Sequence, residues 1–341
     1  MKKTAAIVLC ISLLFCFIFV SEKNKDTFSK EEYKVFSSFC ETCGEIPLIE
    51  QGYVPQGICK LTGTDYVIIS LYNDERPSVM AAVSESSGKC RAVIRMRLPS
   101  GKLCSDHACG VASDGYNIWY AHNKGVFRIP VSEFYSAFDS GEVELNDYTK
   151  LGIYPAYLSY NSGYLLAGEF VRTRSGVKGH KYKQNNAFLE YFYLNIDSST
   201  DYGSVFKKDS QGVAVPQKVI SVPDQVQGAA ISDKGEIVLT TSYGRRSKSH
   251  IYIFDSVTDA QEDAQVFFGD DAVRLYYLGE DRMIVDIISP PMIENVCWSD
   301  GRLYTMFEST AKKYALGVID TTDKVYVFDM REYLKFKRIE K

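Results

Sequence analysis

Two hydrophobic patterns divide this chain. Residues 5–20 form an apolar run, interrupted only by Ser12, behind a basic start, Met1-Lys2-Lys3. From about Gly44 onward, short segments alternate apolar and polar positions with a period of two, separated by turn residues. The first pattern is typical of a secretory signal or membrane anchor, and the second of β-strands. We predict three parts: a signal peptide or uncleaved anchor over 1–21, a stalk with a short helix over 22–43, and an all-β domain over 44–341.

The end of the apolar run favours an uncleaved anchor over a cleaved signal. Phe17-Ile18-Phe19-Val20 offers no small residue where signal peptidase needs one. The run is somewhat shorter than the roughly 20 residues of a comfortable span, but tilt or local thinning of the bilayer absorbs that difference. Lys2 and Lys3 predict a cytoplasmic N-terminus. The rest of the chain is therefore predicted to be extracytoplasmic, either anchored to the cytoplasmic membrane or secreted.

A helix signal follows in the predicted stalk. Ser29 and Glu32 have the spacing of a capping box, and Tyr33, Phe36 and Cys40 recur at helical spacing. The segment is interpreted as a stalk or cap between the anchor and the main domain.

A strand–turn–strand unit recurs five times in the rest of the chain. Each unit has an apolar strand, a turn containing glycine and a second apolar strand. A third strand follows, most clearly at 125–130, 251–255 and 324–329, and an outer strand is visible at 219–223. The five units begin at Gln56, Cys109, Ala156, Gln227 and Glu294.

Four-stranded units that recur at roughly 45 to 70 residues are typical of a β-propeller. We predict a single propeller of five or six four-stranded blades. Long connections before Ala156 and Glu294 could hold a sixth blade, and an irregular pair of β-sandwiches is the alternative. The segment from Gly44 to Gln51 is predicted to be the outer strand of the last blade, which would fasten the N-terminal end to the C-terminal one.

Two runs carry a resemblance to a known group. Both runs resemble uncharacterised secreted bacterial β-propellers. The first extends from Val226-Gln227-Gly228-Ala229-Ala230 to Ser242-Tyr243-Gly244-Arg245. The second extends from Pro290-Pro291-Met292-Ile293-Glu294 through Phe307-Glu308-Ser309 to Lys313-Tyr314. More distantly, the repeats are similar to the calcium-dependent gluconolactonase and strictosidine-synthase-like propellers. The close resemblance covers about residues 215–330. It implies the fold and export, and the distant one implies a metal.

Charge is unevenly distributed along the chain. With 39 Lys and Arg against 43 Asp and Glu, the net charge is −4, which excludes a generally basic nucleic-acid-binding protein. Basic residues nevertheless collect in three consecutive loops between second and third strands, on one predicted face. Such a cluster can bind an anionic ligand, glycan or protein partner; a solvated loop is the alternative. The residues are Arg172, Arg174, Lys178, Lys181, Lys183, Arg245, Arg246, Lys248, Lys312 and Lys313.

Three carboxylates lie at strand ends on the same predicted face: Glu169, Glu294 and Glu308. With Asn295 they would form an oxygen-rich site of the kind that Ca²⁺ prefers, and the distant resemblance also implies this metal. Two equivalent positions are Cys109 and Ala156, which departs from the ligand pattern of those enzymes. The alternative is that these glutamates accept hydrogen bonds from loop backbone or pair with basic groups.

The cysteines permit a second, less regular kind of site. Seven of the nine follow the apolar run, including Cys40-Glu41-Thr42-Cys43. Half a zinc site there would need a second pair, for which Cys104 and Cys109 with His107 between them are the candidates. A local disulfide or buried thiols are favoured instead. His107 and His122 are also candidate general bases.

The sequence contains no His-Glu-x-x-His helix, nucleophile elbow or phosphate-binding loop. It therefore predicts a membrane-anchored binding module that recognises an anionic ligand through the basic loops. A calcium-dependent lactonase- or esterase-like hydrolase and a structural envelope protein are the alternatives.

Overall fold

The computed structural model describes residues 30–197, 203–314, 316–318 and 320–339, and these form a β-propeller of five blades. Each blade is an antiparallel sheet whose first strand lies nearest the axis and contacts the first strands of other blades. The predicted fold class is confirmed, with five blades rather than six. No described helix is long and apolar enough to span a bilayer. The predicted anchor or signal lies outside the described residues.

Blades 1 and 2 contain the first two predicted repeats. Blade 1 consists of Val54–Lys60, Tyr66–Tyr72, Val79–Ser84 and Cys90–Arg97, with Glu142–Glu144 added in parallel at its outer edge. Blade 2 consists of Val111–Ser113, Asn117–His122, Gly125–Pro130 and Asp147–Lys150.

Blades 3 and 4 contain the next two repeats. Blade 3 consists of Tyr157–Asn161, Tyr164–Gly168, Ala187–Tyr193 and Lys218–Val222, extended by Asp271–Tyr277 and Ala264–Phe268. A small hairpin, Asn195–Asp197 with Gly203–Val205, lies between its third and fourth strands. Blade 4 consists of Val226–Ile231, Ile237–Thr241, Ser249–Phe254 and Met283–Ser289.

Neither long connection holds a sixth blade. The connection before Ala156 contains helix α2, Val131–Ser140, together with edge strands of blades 1 and 2. The connection before Glu294 supplies the two added strands of blade 3 and the outer strand of blade 4. Additional strands in these connections extend existing sheets and therefore need no new position around the axis.

Blade 5 closes the ring with a strand from the N-terminal end of the described chain. Its first three strands are Ile293–Ser299, Arg302–Phe307 and Lys324–Asp329. The outer strand is Cys40–Glu45, which pairs antiparallel with Lys324–Asp329. The sequence predicted this closure correctly, but the assignment of the closing strand to the segment from Gly44 to Gln51 was wrong, since only Gly44 and Glu45 of that segment belong to it. Leu48 adopts a left-handed conformation and Ile49–Gln51 is a 3-10 turn, so the apolar stretch after Glu45 leaves the sheet.

The N-terminal helix packs into the propeller. Glu31–Tyr33 is a 3-10 turn that continues into helix α1, Lys34–Phe39. The Tyr33 and Phe36 side chains are buried in the cluster formed by blades 4 and 5 and by helix α3, Met330–Ile339. The predicted helix is therefore confirmed, and its buried face lies against the last blade.

Glycines allow the inner strands to approach closely at the axis. A Cβ added at Gly110 would lie 2.1 Å from the Leu158 backbone nitrogen, and one at Gly228 would lie 2.6 Å from that of Val296. Gly110 N–H donates to the Ala156 carbonyl of blade 3. The x-Gly pattern seen at the start of three repeats is thus a requirement of backbone packing between blades.

Candidate functional site

The loops on one end of the propeller, which we call the top face, form a chain of contacts between neighbouring blades. This face carries the loops entering the inner strands and those between second and third strands. Arg172 of blade 3 lies over the Tyr243 ring of blade 4, 3.4 Å from its centroid. Lys313 of blade 5 forms an ion pair of 2.9 Å with Asp74 of blade 1. These contacts fix the loops relative to one another.

Two glutamates, one buried and one half-buried, meet where blade 5 adjoins blade 1. Glu294 is the second residue of the inner strand of blade 5 and is 3 % exposed, while Glu308 follows the second strand. The two carboxyl groups are hydrogen bonded to each other. Gln56 Nε2 donates to Glu308 Oε2 at 3.5 Å, and the Tyr314 hydroxyl also bonds to Glu308. Tyr72, 3.3 Å from Tyr314 between hydroxyl oxygens, completes this carboxyl pair site.

Burial controls the protonation of this pair. It raises the pKa of Glu308 to about 7, although Tyr314, Lys313 and Gln56 oppose the shift. Burial and the nearby Glu308 charge raise the pKa of Glu294 further above its usual range. Glu294 is therefore protonated at neutral pH, and its O–H group donates a hydrogen bond to the Glu308 carboxylate. A carboxyl group that titrates near neutrality can accept and donate a proton under physiological conditions.

We expect the carboxyl pair to make stability depend on pH. A folded-state pKa near 7 means that the folded chain holds a proton which the unfolded chain loses above about pH 4.5. Stability from this group is therefore lost as the pH rises from about 4.5 to 7. Glu308→Gln should reduce the difference in unfolding free energy between pH 5 and pH 8 by about 2 kcal/mol.

Denaturant unfolding at both pH values checks this prediction, with Glu133→Gln in the exposed first turn of α2 as the control. Equal pH dependence in wild type and Glu308→Gln would contradict the protonation assigned to the pair.

The third predicted carboxylate is held elsewhere. Glu169 accepts hydrogen bonds from His180 Nδ1 and from the backbone N–H groups of His180 and Phe188. It forms no cluster of three His, Cys, Asp or Glu ligand atoms within 4.8 Å with Glu294 and Glu308 in the described chain. Asn295 is committed to backbone, since its Nδ2 donates to the Leu158 carbonyl and its Oδ1 accepts from Val296 N–H. The four predicted calcium ligands are thus not brought together. The two carboxyl groups that do meet, Glu294 and Glu308, are better suited to sharing a proton than to binding a cation.

Six of the ten predicted basic residues are engaged within the protein. Lys183 pairs with Asp263 at 2.6 Å, Lys248 with Glu32 at 2.7 Å, and Lys313 with Asp74. Arg245 donates to the carbonyls of Leu316 and Lys313, Arg246 donates to that of Gly317, and Arg172 stacks on Tyr243. The remaining four are exposed and form no ion pair among the described residues: Arg174, Lys178, Lys181 and Lys312.

The long loop of blade 3, residues 171–186, is tied down at several points. Thr173 donates to Asp224 through both its backbone N–H and its hydroxyl group, at 3.1 and 2.6 Å. His180 pairs with Glu169, which raises the pKa of the imidazole, and its ring stacks on Phe188. Glu169 and Asp224 are therefore occupied by anchors of this loop, while Arg174, Lys178 and Lys181 face solvent.

The cysteines form no disulfide in the described chain. Cys40 and Cys43 lie in the closing strand, and neither belongs to a cluster of potential metal ligands there. Instead, Cys104, Asp106 and His122 bring ligand atoms within 4.8 Å of one another on blade 2. The zinc pairing considered from the sequence is not formed, and the clustering of His122 with Cys104 depends on the pairing of distant segments.

The two candidate general bases on the top face are both held against aromatic rings. His107 stacks on Tyr72, with 4.0 Å between ring centroids, and His122 packs on Phe127. Burial lowers the pKa of both imidazoles. Both rings are therefore neutral at pH 7, as a base or a metal ligand requires.

Comparisons with known proteins found similarity among solved structures alone. No protein-family profile and no curated protein sequence matches the chain. Among solved structures, glutaminyl cyclase from Myxococcus xanthus aligns at 11 % identity and a TM-score of 0.41, over 85 % of this chain and 96 % of that one. A PQQ-bound aldose sugar dehydrogenase from Streptomyces coelicolor gives 11 % and 0.41, over 84 % and 96 %. A gluconolactonase from Xanthomonas campestris gives 9 % and 0.36, over 84 % and 88 %.

Proposed function

We propose that this propeller is an extracytoplasmic binding module that recognises a polyanionic ligand through the loop of residues 171–186. The observation that supports the proposal most strongly is the charge balance of this loop. Arg174, Lys178 and Lys181 are exposed without ion-pair partners among the described residues, while neighbouring Glu169 and Asp224 anchor the loop itself. Positive charge held on an ordered loop attracts an anion at a small cost in conformational entropy.

The predicted location restricts the class of ligand. An N-terminal anchor behind Lys2 and Lys3 would present the propeller outside the cytoplasmic membrane. Polymers of repeated phosphate or acidic sugar units are the abundant ligands whose charge spacing can engage several cations at once. The Arg174 guanidinium would bind an oxyanion in a bidentate manner, and the two lysines would act as point charges.

Replacing the three free cations should weaken this binding. For Arg174→Gln, Lys178→Gln and Lys181→Gln together, we expect about tenfold weaker affinity for polyphosphate at low salt, because three exposed ion pairs contribute roughly 0.5 kcal/mol each. The salt dependence of binding should also become shallower. Titration of fluorescently labelled polyphosphate at several salt concentrations measures both quantities.

The matched control removes the same charge elsewhere. Lys89, Lys102 and Lys150 are also exposed and lie on other parts of the ring, so their triple glutamine variant should bind like wild type. Equal weakening in both variants would show a non-specific charge effect and would reject the loop as the site. Unchanged binding by the first variant would reject it as well.

A second candidate function is acid–base catalysis of ester or lactone hydrolysis at the carboxyl pair site. The specific observation is that Glu308, with a pKa near 7, adjoins the protonated Glu294 and two tyrosine hydroxyl groups. Glu308 would accept a proton from an attacking water, and Glu294 would retain its own.

A panel of lactones and aryl esters tests the catalytic alternative. Activity that rises through pH 7 and falls at least about a hundredfold in Glu308→Gln would support it. Activity equal in Glu308→Gln and in the exposed-site control Glu133→Gln would reject it.

A further inference from the structure

We propose that Cys104, Asp106 and His122 bind one Zn²⁺ ion on the top face of blade 2, with a fourth position open to water. One ligand atom from each residue lies within 4.8 Å of the others. Cys104 Sγ is 3.9 Å from His122 Nδ1, and Asp106 Oδ2 is 3.6 Å from His122 Nε2. Only one nitrogen of the His122 ring binds the ion, and ligand atoms about 2.0–2.3 Å from a shared tetrahedral ion lie about 3.5 Å apart. Cys104 lies beside Nδ1, so the exposed Asp106 side chain must rotate toward Nδ1 to complete the geometry.

Both buried ligands are held in place before any ion arrives. Both backbone polar groups of Cys104 are hydrogen bonded to blade 1. Its N–H donates to the Met96 carbonyl, and its own carbonyl accepts from Ser78 N–H. His122 ends the second strand of blade 2, and its ring packs on Phe127. Preorganised ligands reduce the ordering cost of binding.

Burial raises the pKa of the Cys104 thiol, and two polar groups next to the sulfur oppose that shift. The backbone N–H of Asp106 donates to Cys104 Sγ, and the Tyr120 hydroxyl lies 3.8 Å from it. Asn123 Nδ2 lies 2.9 Å from His122 Nε2. A flip of this amide would present its Oδ1 to the Nε2–H group of an imidazole bound to the ion through Nδ1. A metal-bound histidine almost always has such a partner on its second nitrogen.

The donor set selects the class of ion. Thiolate and imidazole ligands favour zinc and related transition metals over calcium or magnesium, which prefer oxygen. Cys104 and His122 are buried, but Asp106 is exposed, so an ion held here would reach solvent on the Asp106 side. Three protein ligands with an open fourth position are the arrangement of zinc sites that polarise a bound water or substrate oxygen.

Cobalt substitution tests the proposal on the purified full chain, kept reduced with a phosphine. Titration with Co²⁺ should give one equivalent of tetrahedral d–d absorption together with a thiolate-to-cobalt charge-transfer band, and Zn²⁺ should displace both. Cys104→Ser should abolish the charge-transfer band. Asp106→Asn, at an exposed position, should leave the fold intact and keep the band. It should weaken Zn²⁺ affinity by about 100-fold, because a direct ligand contributes at least as much as a group that only orients one.

The control is Cys90→Ser, which removes an exposed thiol on the side of blade 1 and should leave the cobalt spectrum unchanged. The absence of a charge-transfer band in wild type would overturn the proposal. So would a band that survives Cys104→Ser, one that disappears in Cys90→Ser, or wild-type Zn²⁺ affinity in Asp106→Asn.

Discussion

Replacing Phe36 by alanine is expected to lower the free energy of unfolding by about 3–5 kcal/mol, a large share of the stability of an ordinary domain. Phe36 is fully buried, and its ring packs against three aromatic rings of blade 5. Its centroid lies 5.8 Å from that of Phe307, 5.7 Å from that of Tyr326 and 6.2 Å from that of Phe328. The truncation would remove these contacts and leave a cavity beside the strand that closes the ring.

Denaturant unfolding of Phe36→Ala measures this loss, with Val35→Ala as the matched control. Val35 is the neighbouring residue of α1 and is 39 % exposed, so its truncation should cost less than about 1 kcal/mol. Phe36→Leu should fall between the two, because it retains most of the apolar volume. A loss below about 1 kcal/mol in Phe36→Ala would show that the helix is not part of the folded propeller.

Gly110→Ala is expected to have a comparably large effect for the opposite reason. The new Cβ would lie 2.1 Å from the Leu158 nitrogen and 2.5 Å from the Tyr157 carbonyl carbon, which are backbone atoms of the next blade. Backbone in a hydrogen-bonded strand cannot rotate away as a flexible side chain can. Separating the inner strands of blades 2 and 3 should cost about 3 kcal/mol or more, the upper range for overpacking.

Gly101→Ala separates this steric effect from the general cost of replacing glycine. Gly101 has a φ of +81°, but a Cβ there would meet nothing within 4 Å. Its substitution should therefore cost only the roughly 1–2 kcal/mol of a left-handed conformation. If thermal unfolding shows equal losses in the two variants, close packing at the axis is not the reason for Gly110.

The sequence was informative where a local pattern decides the structure. Each of the five strand–turn–strand units is a blade hairpin, because alternating apolar residues and a glycine turn specify that geometry without distant contacts. The closing strand Cys40–Glu45 was missed because only its pairing with blade 5 makes it a strand. Glu41 and Thr42 are exposed and lack the apolar alternation that the following residues show.

The candidate sites depended more strongly on tertiary structure. Glu294 and Glu308 were identified from their positions at strand ends, and the structure places them in contact. Glu169 has an equivalent position in blade 3, but the adjacent loop folds back and His180 occupies its carboxylate. The sequence predicted ten basic residues together, yet six are engaged by groups distant in the chain, which are acidic residues such as Asp74, backbone carbonyls or an aromatic ring. Charge counts along a sequence do not reveal such pairing.

Hydrogen exchange of the full chain with and without polyphosphate tests the proposed function most directly. We expect slower exchange in residues 171–186 when polyphosphate is added, with the protection lost at high salt and in the triple glutamine variant of Arg174, Lys178 and Lys181. Protection that appears elsewhere on the ring, while these residues exchange at the same rate, would contradict the assignment of the ligand site to this loop.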